Sequence, residues 1–202
     1  MQREERSERS RRHVLDAALD LFSHRGYRAT TVRDIADEAK VSTGNVYHHF
    51  PDKESIFRTL LDEFWAITQT KRYPFTRALV SGGFPDDIED LGLAARDSVR
   101  EFRQYIALIY VDVIEFDGTH IRKFYGEMGQ RLAAQIGEDA IERIRARVRP
   151  NVSPISALLL TTRLFFNYFS IEILFNVPEP FGKDSATMVR EIADILRNGM
   201  LL

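Results

Sequence analysis

A short run near the N-terminus concentrates side chains that can hydrogen-bond to base edges and to phosphate groups. The run is Thr43-Gly44-Asn45, followed by Tyr47-His48-His49. An asparagine amide can pair with adenine through one donor and one acceptor, and a threonine can contact a base edge or a thymine methyl. Tyrosine and histidine can donate hydrogen bonds to phosphates. These groups can act together only if a short helix presents them on one outward face.

Two short helices are predicted to position this run. The first starts near Thr31, where Thr31-Val-Arg-Asp34 has the form of a capping box. The second starts at Ser42 and ends near Phe50, because the proline that follows cannot continue it. Ala36 and Ala39 are small where the two helices must cross closely. This arrangement is typical of a helix that enters the major groove of DNA.

The rest of the sequence is also helical. No segment alternates apolar and polar residues with the period of a strand, so we expect an all-α protein of about nine helices. The other predicted helices cover residues 10–25, a long helix capped by Asp52, residues 86–116 with a kink near residues 103–105, residues 119–149, residues 154–176 with Ser153 as the cap, and residues 184–199.

Composition narrows the class of protein without deciding its function. The net charge is −2, and residues 1–53 carry ten Lys and Arg against nine Asp and Glu, so any charge that faces DNA is arranged locally. Cysteine is absent, which excludes disulfides and favours a reducing cytoplasm. No signal peptide is expected, and the apolar stretches carry Asp112 or Arg163, so we expect no membrane span.

The segment from Gly26 to Lys53 resembles the N-terminal signature of the tetracycline-repressor (TetR) family. The matching elements are Gly26-Tyr27, Thr30-Thr31, Ile35-Ala36, Ala39, Val41-Ser42, Gly44, Tyr47, Phe50 and Lys53. The resemblance implies phosphate contacts from Thr31, Tyr47, His48, His49 and Lys53, and base contacts from Arg33, Thr43, Gly44 and Asn45. Ser42, which starts the second helix, completes the expected DNA-binding set.

The resemblance also implies a division into a helix-turn-helix domain at residues 1–53 and a helical domain for ligand binding and dimerisation at residues 54–202. Lys40 departs from the family, which usually has glycine in the turn, and a positive φ there costs about 1 kcal/mol. Arg3, Arg6, Arg9, Arg11 and Arg12 form either an arm for the minor groove, a solvated tail or an extension of the first helix.

A single recognition helix contacts only a few base pairs. Specific recognition of DNA therefore requires two such helices about 34 Å apart, or a multiple of that spacing. We therefore expect a homodimer on a two-fold symmetric operator. The helices 154–176 and 184–199 are apolar on more than one face, and the resemblance implies that they pair with their symmetry mates.

A ligand pocket is expected where aromatic residues surround a few polar groups, because small-molecule sites are built in this way. This favours a small lipophilic effector, although core packing is the favoured explanation for any single one of these residues. The candidate residues are Tyr105, Tyr110, Asp112, Glu115, Arg163, Phe166, Asn167 and Phe169.

The leading hypothesis is a repressor that a small ligand releases from DNA, with no cofactor and no catalytic activity. One alternative is a protein-interaction module that does not bind DNA. Another is an enzyme with Asp112 and Glu115 as an acid–base pair, or a metal site formed by these two carboxylates and His120.

Overall fold

The computed structural model describes the backbone of residues 2–200 and the side chains of residues 4–199. Across this range the chain forms eleven α-helices, one π-helical turn and no β-strand. The all-α prediction is confirmed, although the helices are more numerous than the nine expected.

The helices follow one another closely along the chain. Their bounds are α1 (Gln2–Arg25), α2 (Val32–Glu38), α3 (Thr43–His49), α4 (Lys53–Thr68), α5 (Pro74–Leu79), α6 (Ile88–Glu101), α7 (Arg103–Phe116), α8 (Arg122–Ile136), α9 (Glu138–Arg145), α10 (Pro154–Phe169), the π-helical turn Ser170–Leu174, and α11 (Ser185–Met200).

Two of the predicted long helices are each divided into two. The predicted helix 86–116 breaks at Phe102, whose φ of −109° and ψ of 25° leave the helical region. The predicted helix 119–149 breaks at Gly137, whose φ of 79° is favourable for glycine alone. The short helix α5 was not predicted, although its Pro74 occupies the first turn, where proline is well tolerated.

The first helix begins earlier than expected, at Gln2 rather than near Ser10. Glu4 and Glu5 lie in its first turn, where carboxylates interact favourably with the helix dipole. Glu8 lies 3.9 Å from the guanidinium of Arg11. The arginine-rich start is therefore an extension of α1, while the Arg3 side chain lies outside the described residues.

The described chain divides into two compact units that are discontinuous in sequence. The first unit holds the residues up to Ala66 together with Gln104–Lys123, and the second holds Ile67–Arg103 and the residues from Phe124 onward. These ranges do not coincide with the predicted division at residues 53 and 54. The functional division of the chain stays a prediction.

An aromatic cluster lies at the centre of the first unit. Phe57 of α4 contacts Phe22 of α1, Tyr27 and Phe116 of α7, with ring centroids 5.7, 5.6 and 5.0 Å apart. Phe22 and Phe57 are completely buried. The cluster therefore joins three helices to the loop that precedes α2.

In the second unit α6 packs against α5, α10 and α11. Gly92 lies in the middle of this packing, where a Cβ atom would be 2.7 Å from Phe165 Cε1 and 3.0 Å from Val189 Cγ1. The absence of a side chain at Gly92 allows the helices to approach closely.

One helical run, Pro154–Leu174, is long and apolar enough to cross a membrane by length and composition, contrary to the expectation from sequence. In the most apolar 18-residue stretch of this run, 44% is buried inside the protein. A single run of this kind is weak evidence for a membrane span, because the core helix of a folded domain passes the same test.

Substitution of Gly92 by alanine is expected to lower the free energy of unfolding by about 1–3 kcal/mol, because the added methyl group overlaps the Phe165 ring. Gly126→Ala is the matched control, since no described atom lies within 4 Å of its Cβ position in α8. The control is expected to be neutral or to stabilise by up to about 1 kcal/mol through helix propensity. Urea denaturation of both variants measures this difference, and equal effects would contradict the close packing.

Candidate nucleic-acid interface

The turn between α2 and α3 is held by local hydrogen bonds. The Val41 amide donates to the Ala36 carbonyl at 3.0 Å, and the Ser42 hydroxyl caps α3 by accepting from the Asn45 amide at 3.1 Å. Lys40 has a φ of 56°, so it adopts the left-handed conformation in which glycine is usual. The turn therefore keeps its geometry despite the side chain at this position.

The outward side of α3 carries most of the predicted base and phosphate contacts. We call Thr43, Gly44, Asn45, Tyr47 and His48 the α3 face. Tyr47 is 56% exposed, and the other members are exposed except for Asn45, which is half-buried. Val46, on the opposite side, is buried. The helix therefore separates a packing side from a side available to a partner.

The Thr31 hydroxyl is engaged in capping α2. It accepts from the Asp34 amide at 3.1 Å and donates to Asp34 Oδ2 at 2.6 Å, while the Thr31 amide donates to the same oxygen. These hydrogen bonds from Thr31 hold the pKa of Asp34 below its ordinary value. The predicted capping box is confirmed. Arg33 is exposed, with its guanidinium 3.9 Å from Asp37.

Lys53 has protein partners where a phosphate contact was expected. Its Nζ donates to the carbonyls of Tyr27 and Thr30, both at 2.7 Å, and lies 4.0 Å from the centroid of the Tyr27 ring. Burial lowers the pKa of Lys53. The ammonium therefore fixes the loop before α2, with one N–H remaining for a further acceptor.

The two neighbouring histidines have different environments. His48 is exposed, whereas His49 is half-buried and its Nε2 atom is buried without a hydrogen-bond partner among the described residues. Burial, with smaller contributions from His48 and Arg11, lowers the pKa of His49. A lowered pKa disfavours the charged ring that a phosphate would attract, which makes His49 a weaker candidate for a phosphate contact than the exposed His48.

Glu115, which was expected to line a ligand pocket, binds the loop between α1 and α2. Its carboxylate accepts from the backbone amides of Tyr27 at 2.9 Å and Arg28 at 2.6 Å. The Arg28 guanidinium in turn donates to the Glu115 carbonyl at 3.2 Å. The end of α7 is thus attached directly to the segment that leads into α2.

Asp112, another predicted pocket residue, is fully buried and paired with His120. The His120 Nδ1 atom is 2.5 Å from Asp112 Oδ1, and the Ile121 amide donates to Oδ2 at 3.2 Å. The other ring nitrogen of His120 lies 3.5 Å from the Glu54 carboxylate. Because Glu115 is committed to the loop amides, the three candidate metal ligands do not converge among the described residues.

The remaining pocket candidates are divided between the two units. In the first unit the Tyr105 ring stacks on Phe64, with centroids 5.4 Å apart, and Tyr110 is 37% exposed. In the second unit the Arg163 guanidinium lies 4.5 Å from the Tyr125 ring centroid. Phe166 contacts Phe75, Asn167 is exposed and Phe169 is completely buried in the second unit.

A groove of about 320 Å³ lies in the second unit, away from the predicted pocket residues. It is lined mainly by polar side chains, unlike the aromatic pocket that the sequence suggested. The lining residues are Arg100, Glu172, Ile173, Asn176, Pro178, Glu179, Asp184 and Ser185. Seven of the eight lining residues fall within residues 172–185, and only Arg100 comes from a distant part of the chain. Sequence reasoning missed the groove because the spacing of these residues does not show that the segment curves around a cavity.

Removal of the Glu115 carboxylate is expected to release the loop before α2. In Glu115→Ala the amides of Tyr27 and Arg28 lose their acceptor, so their hydrogen exchange should accelerate and the free energy of unfolding should fall by about 1–3 kcal/mol. Glu101→Ala, at an exposed carboxylate that ends α6, is the control and should leave both amides protected. Unchanged exchange in Glu115→Ala would contradict the role of this contact.

The capping box should depend on pH. Because the pKa of Asp34 is lowered by folding, its stabilising contribution is present above the unfolded pKa of about 4 and is lost as the pH falls through the lowered value. The difference in unfolding free energy between the native chain and Asp34→Asn should therefore be constant from pH 7 to pH 5 and shrink below pH 4. A difference that persists at pH 2 would show that the charge is irrelevant.

Comparison with known proteins supports the interpretation of the N-terminal segment. Residues 14–60 match the family described as bacterial regulatory proteins, tetR family. The transcriptional repressor KstR2 of Rhodococcus jostii is 54% identical over 54 residues, which are 27% of this chain and 26% of that protein. The transcriptional regulator AcrR of Shigella flexneri is 38% identical over 64 residues, 32% of this chain and 28% of that protein.

These alignments cover only about a quarter of the length of the curated relatives. Solved structures extend the likeness over the whole fold. A TetR-family regulator from Mesorhizobium loti has a TM-score of 0.66 at 20% identity and covers 98% of this chain and 99% of its own. KstR2 of Mycobacterium tuberculosis has a TM-score of 0.57 at 20% identity, covering 95% of each chain.

At such identities the structural likeness establishes the fold alone, and the family match covers residues 14–60. The capped α2, the tight turn at Lys40 and the exposed α3 face all lie within the matched residues 14–60. The N-terminal segment of the chain is thus similar to the TetR family of bacterial regulatory proteins, and the fold is similar to that of solved TetR-family structures.

Proposed function

We propose that this protein is a DNA-binding transcriptional regulator that represses its target genes as a homodimer and leaves its operator when a small ligand binds. The observation that carries the proposal is the α3 face, a row of hydrogen-bonding side chains on a short helix held against α2. A face of this kind fits the major groove, where base edges present a distinct pattern of donors and acceptors.

Exposure and intramolecular hydrogen bonds divide the proposed DNA contacts into two groups. Arg33, Thr43, Tyr47 and His48 are exposed and remain the leading contacts, together with the N–H groups of Asn45. Thr31 and Lys53 have intramolecular partners, so we assign them first to holding α2 in place. Phosphate contacts from these two residues are secondary in the proposal.

Exposed apolar side chains support the homodimer. On α10 the side chains of Leu160 and Leu164 are 56% and 46% exposed and lie one turn apart on the same face. On α11 Ile195 is 70% exposed. Burial of such a surface against a second copy is the usual solution for a symmetric dimer, and two copies are needed to read two half-sites.

The effector is proposed to be a small lipophilic molecule that shifts the dimer between DNA-binding and non-binding states. Aromatic residues such as Phe166 and Phe75 of the second unit, with ring centroids 5.2 Å apart, are of the type that lines apolar ligand sites. Because a bacterial operator lies in the cytoplasm, we propose that the protein acts there.

The two alternative functions have less support. The acid–base pair of the enzyme hypothesis is Asp112 and Glu115, and both carboxylates are engaged in hydrogen bonds that hold the first unit together. A protein-interaction module would use the same fold without contacting DNA. Sequence-specific DNA binding is therefore the property that separates the proposals.

The test is binding of the purified protein to the DNA that flanks its own gene, measured by fluorescence anisotropy at several salt concentrations. Specific binding that weakens as salt rises is expected. Asn45→Ala should reduce the preference for the operator over unrelated DNA by about 5-fold to 100-fold, because a base contact is lost. Tyr47→Phe, which removes only a hydroxyl group, should weaken binding to all sequences alike.

Asn151→Ala, at an exposed asparagine before α10, is the matched control and should bind as the native chain does. Native mass spectrometry of the same preparation measures the dimer and any molecule that co-purifies with it. Equal affinity for the operator and for unrelated DNA would contradict the repressor proposal. Protection of a single asymmetric half-site by one monomer would contradict it as well.

A further inference from the structure

The N-terminal half of α1 contacts the α3 face directly. The Ser10 hydroxyl lies 2.6 Å from Oδ1 of Asn45, although the two residues are 35 positions apart in the chain. One residue later, the Arg11 guanidinium lies 5.1 Å from the centroid of the Phe50 ring. Two consecutive residues of α1 thus hold this helix beside α3.

The contact with Ser10 determines the direction of the Asn45 amide. A hydroxyl meets a carbonyl oxygen only by donating its proton, so Oδ1 faces Ser10 and the NH₂ group faces away from it. The backbone of Asn45 is fixed independently, because its amide donates to the Ser42 hydroxyl that caps α3. The donor side of the Asn45 amide is therefore the side left for a partner.

This orientation matters for base recognition. Bidentate pairing with adenine requires the asparagine oxygen to accept from N6 while its NH₂ group donates to N7. Guanine instead presents two acceptors, N7 and O6, in the major groove. An asparagine whose oxygen is turned towards Ser10 offers a partner mainly its NH₂ group, which matches the guanine pattern better than the adenine pattern.

We propose that Ser10 is a positioning residue that sets the base preference of Asn45, directing it towards guanine and away from adenine. The inference rests on the proposed DNA-binding function and adds a specificity determinant outside the helix-turn-helix. Ser10 does not touch the base. It acts by holding the Asn45 oxygen towards α1, which turns the NH₂ group of the amide towards the base.

The experiment measures relative affinities for operator variants in the complete protein. The relevant base pair is the one at which Asn45→Ala abolishes discrimination. In Ser10→Ala the freed oxygen should shift the guanine-to-adenine affinity ratio at that position towards adenine by about tenfold. Ser10→Thr, which keeps the hydroxyl, should retain the native ratio.

Two controls separate this role from a general effect on α1. Ser7→Ala removes a hydroxyl three residues earlier on the same side of α1 and should leave the ratio unchanged. The double variant Ser10→Ala/Asn45→Ala should behave as Asn45→Ala alone, because Ser10 acts through that amide. Affinity for unrelated DNA should be the same for the native chain and for Ser10→Ala.

If Ser10→Ala had the same guanine-to-adenine affinity ratio as the native chain, the inference would be overturned and the proposed function would stand. A uniform loss of affinity for all sequences would also overturn the inference, because Ser10 would then have a merely structural role. Absence of sequence-specific binding by the native chain would overturn both proposals together.

Discussion

The first unit depends on the contact between the end of α7 and the loop around Tyr27. Phe116 packs on Tyr27 with ring centroids 4.5 Å apart, and the neighbouring Glu115 binds the loop amides. Gly26, with a φ of 88°, gives this carboxylate its access, because a Cβ atom there would lie 2.6 Å from Glu115 Oε1. The same loop supplies the carbonyls that Lys53 binds. The position of α2, and with it that of α3, follows from this junction.

Side chains of the proposed interface are held in position by intramolecular contacts in the absence of DNA. Asn45 is oriented by a neighbouring helix, Thr31 is held in its cap and Lys53 in its carbonyl pair. Side chains that are already fixed lose less conformational entropy on binding, so the free energy of binding is more favourable. Exposed groups such as Tyr47 and His48 retain the freedom to adapt. The proposed interface thus combines a rigid frame with adjustable contacts.

Local features were predictable from the sequence, and distant contacts were not. The caps at Thr31, Ser42 and Ser153 depend on residues three or four positions apart, so spacing alone identified them. The partners of Asp112 and Glu115 could not be identified in this way, because helical spacing gives the face of a side chain but not what lies opposite. Tyr27 and Glu115 are 88 positions apart. Aromatic and acidic residues on α7 suggested a cavity for the same reason, since composition does not distinguish a pocket from a packed core.

The discontinuity of the first unit has a consequence for how such chains are synthesised and recombined. The segment up to Ala66 emerges from the ribosome well before Gln104–Lys123, and it lacks Phe116 and Glu115 until then. Domains generally fold as units during synthesis, so this one is completed only when α7 has been made. Exchange of the N-terminal segment between two proteins with this arrangement transfers only part of the unit. The Phe116 ring and the Glu115 carboxylate lie on α7, outside the exchanged segment. In such a chimaera both side chains therefore come from the protein that receives the segment.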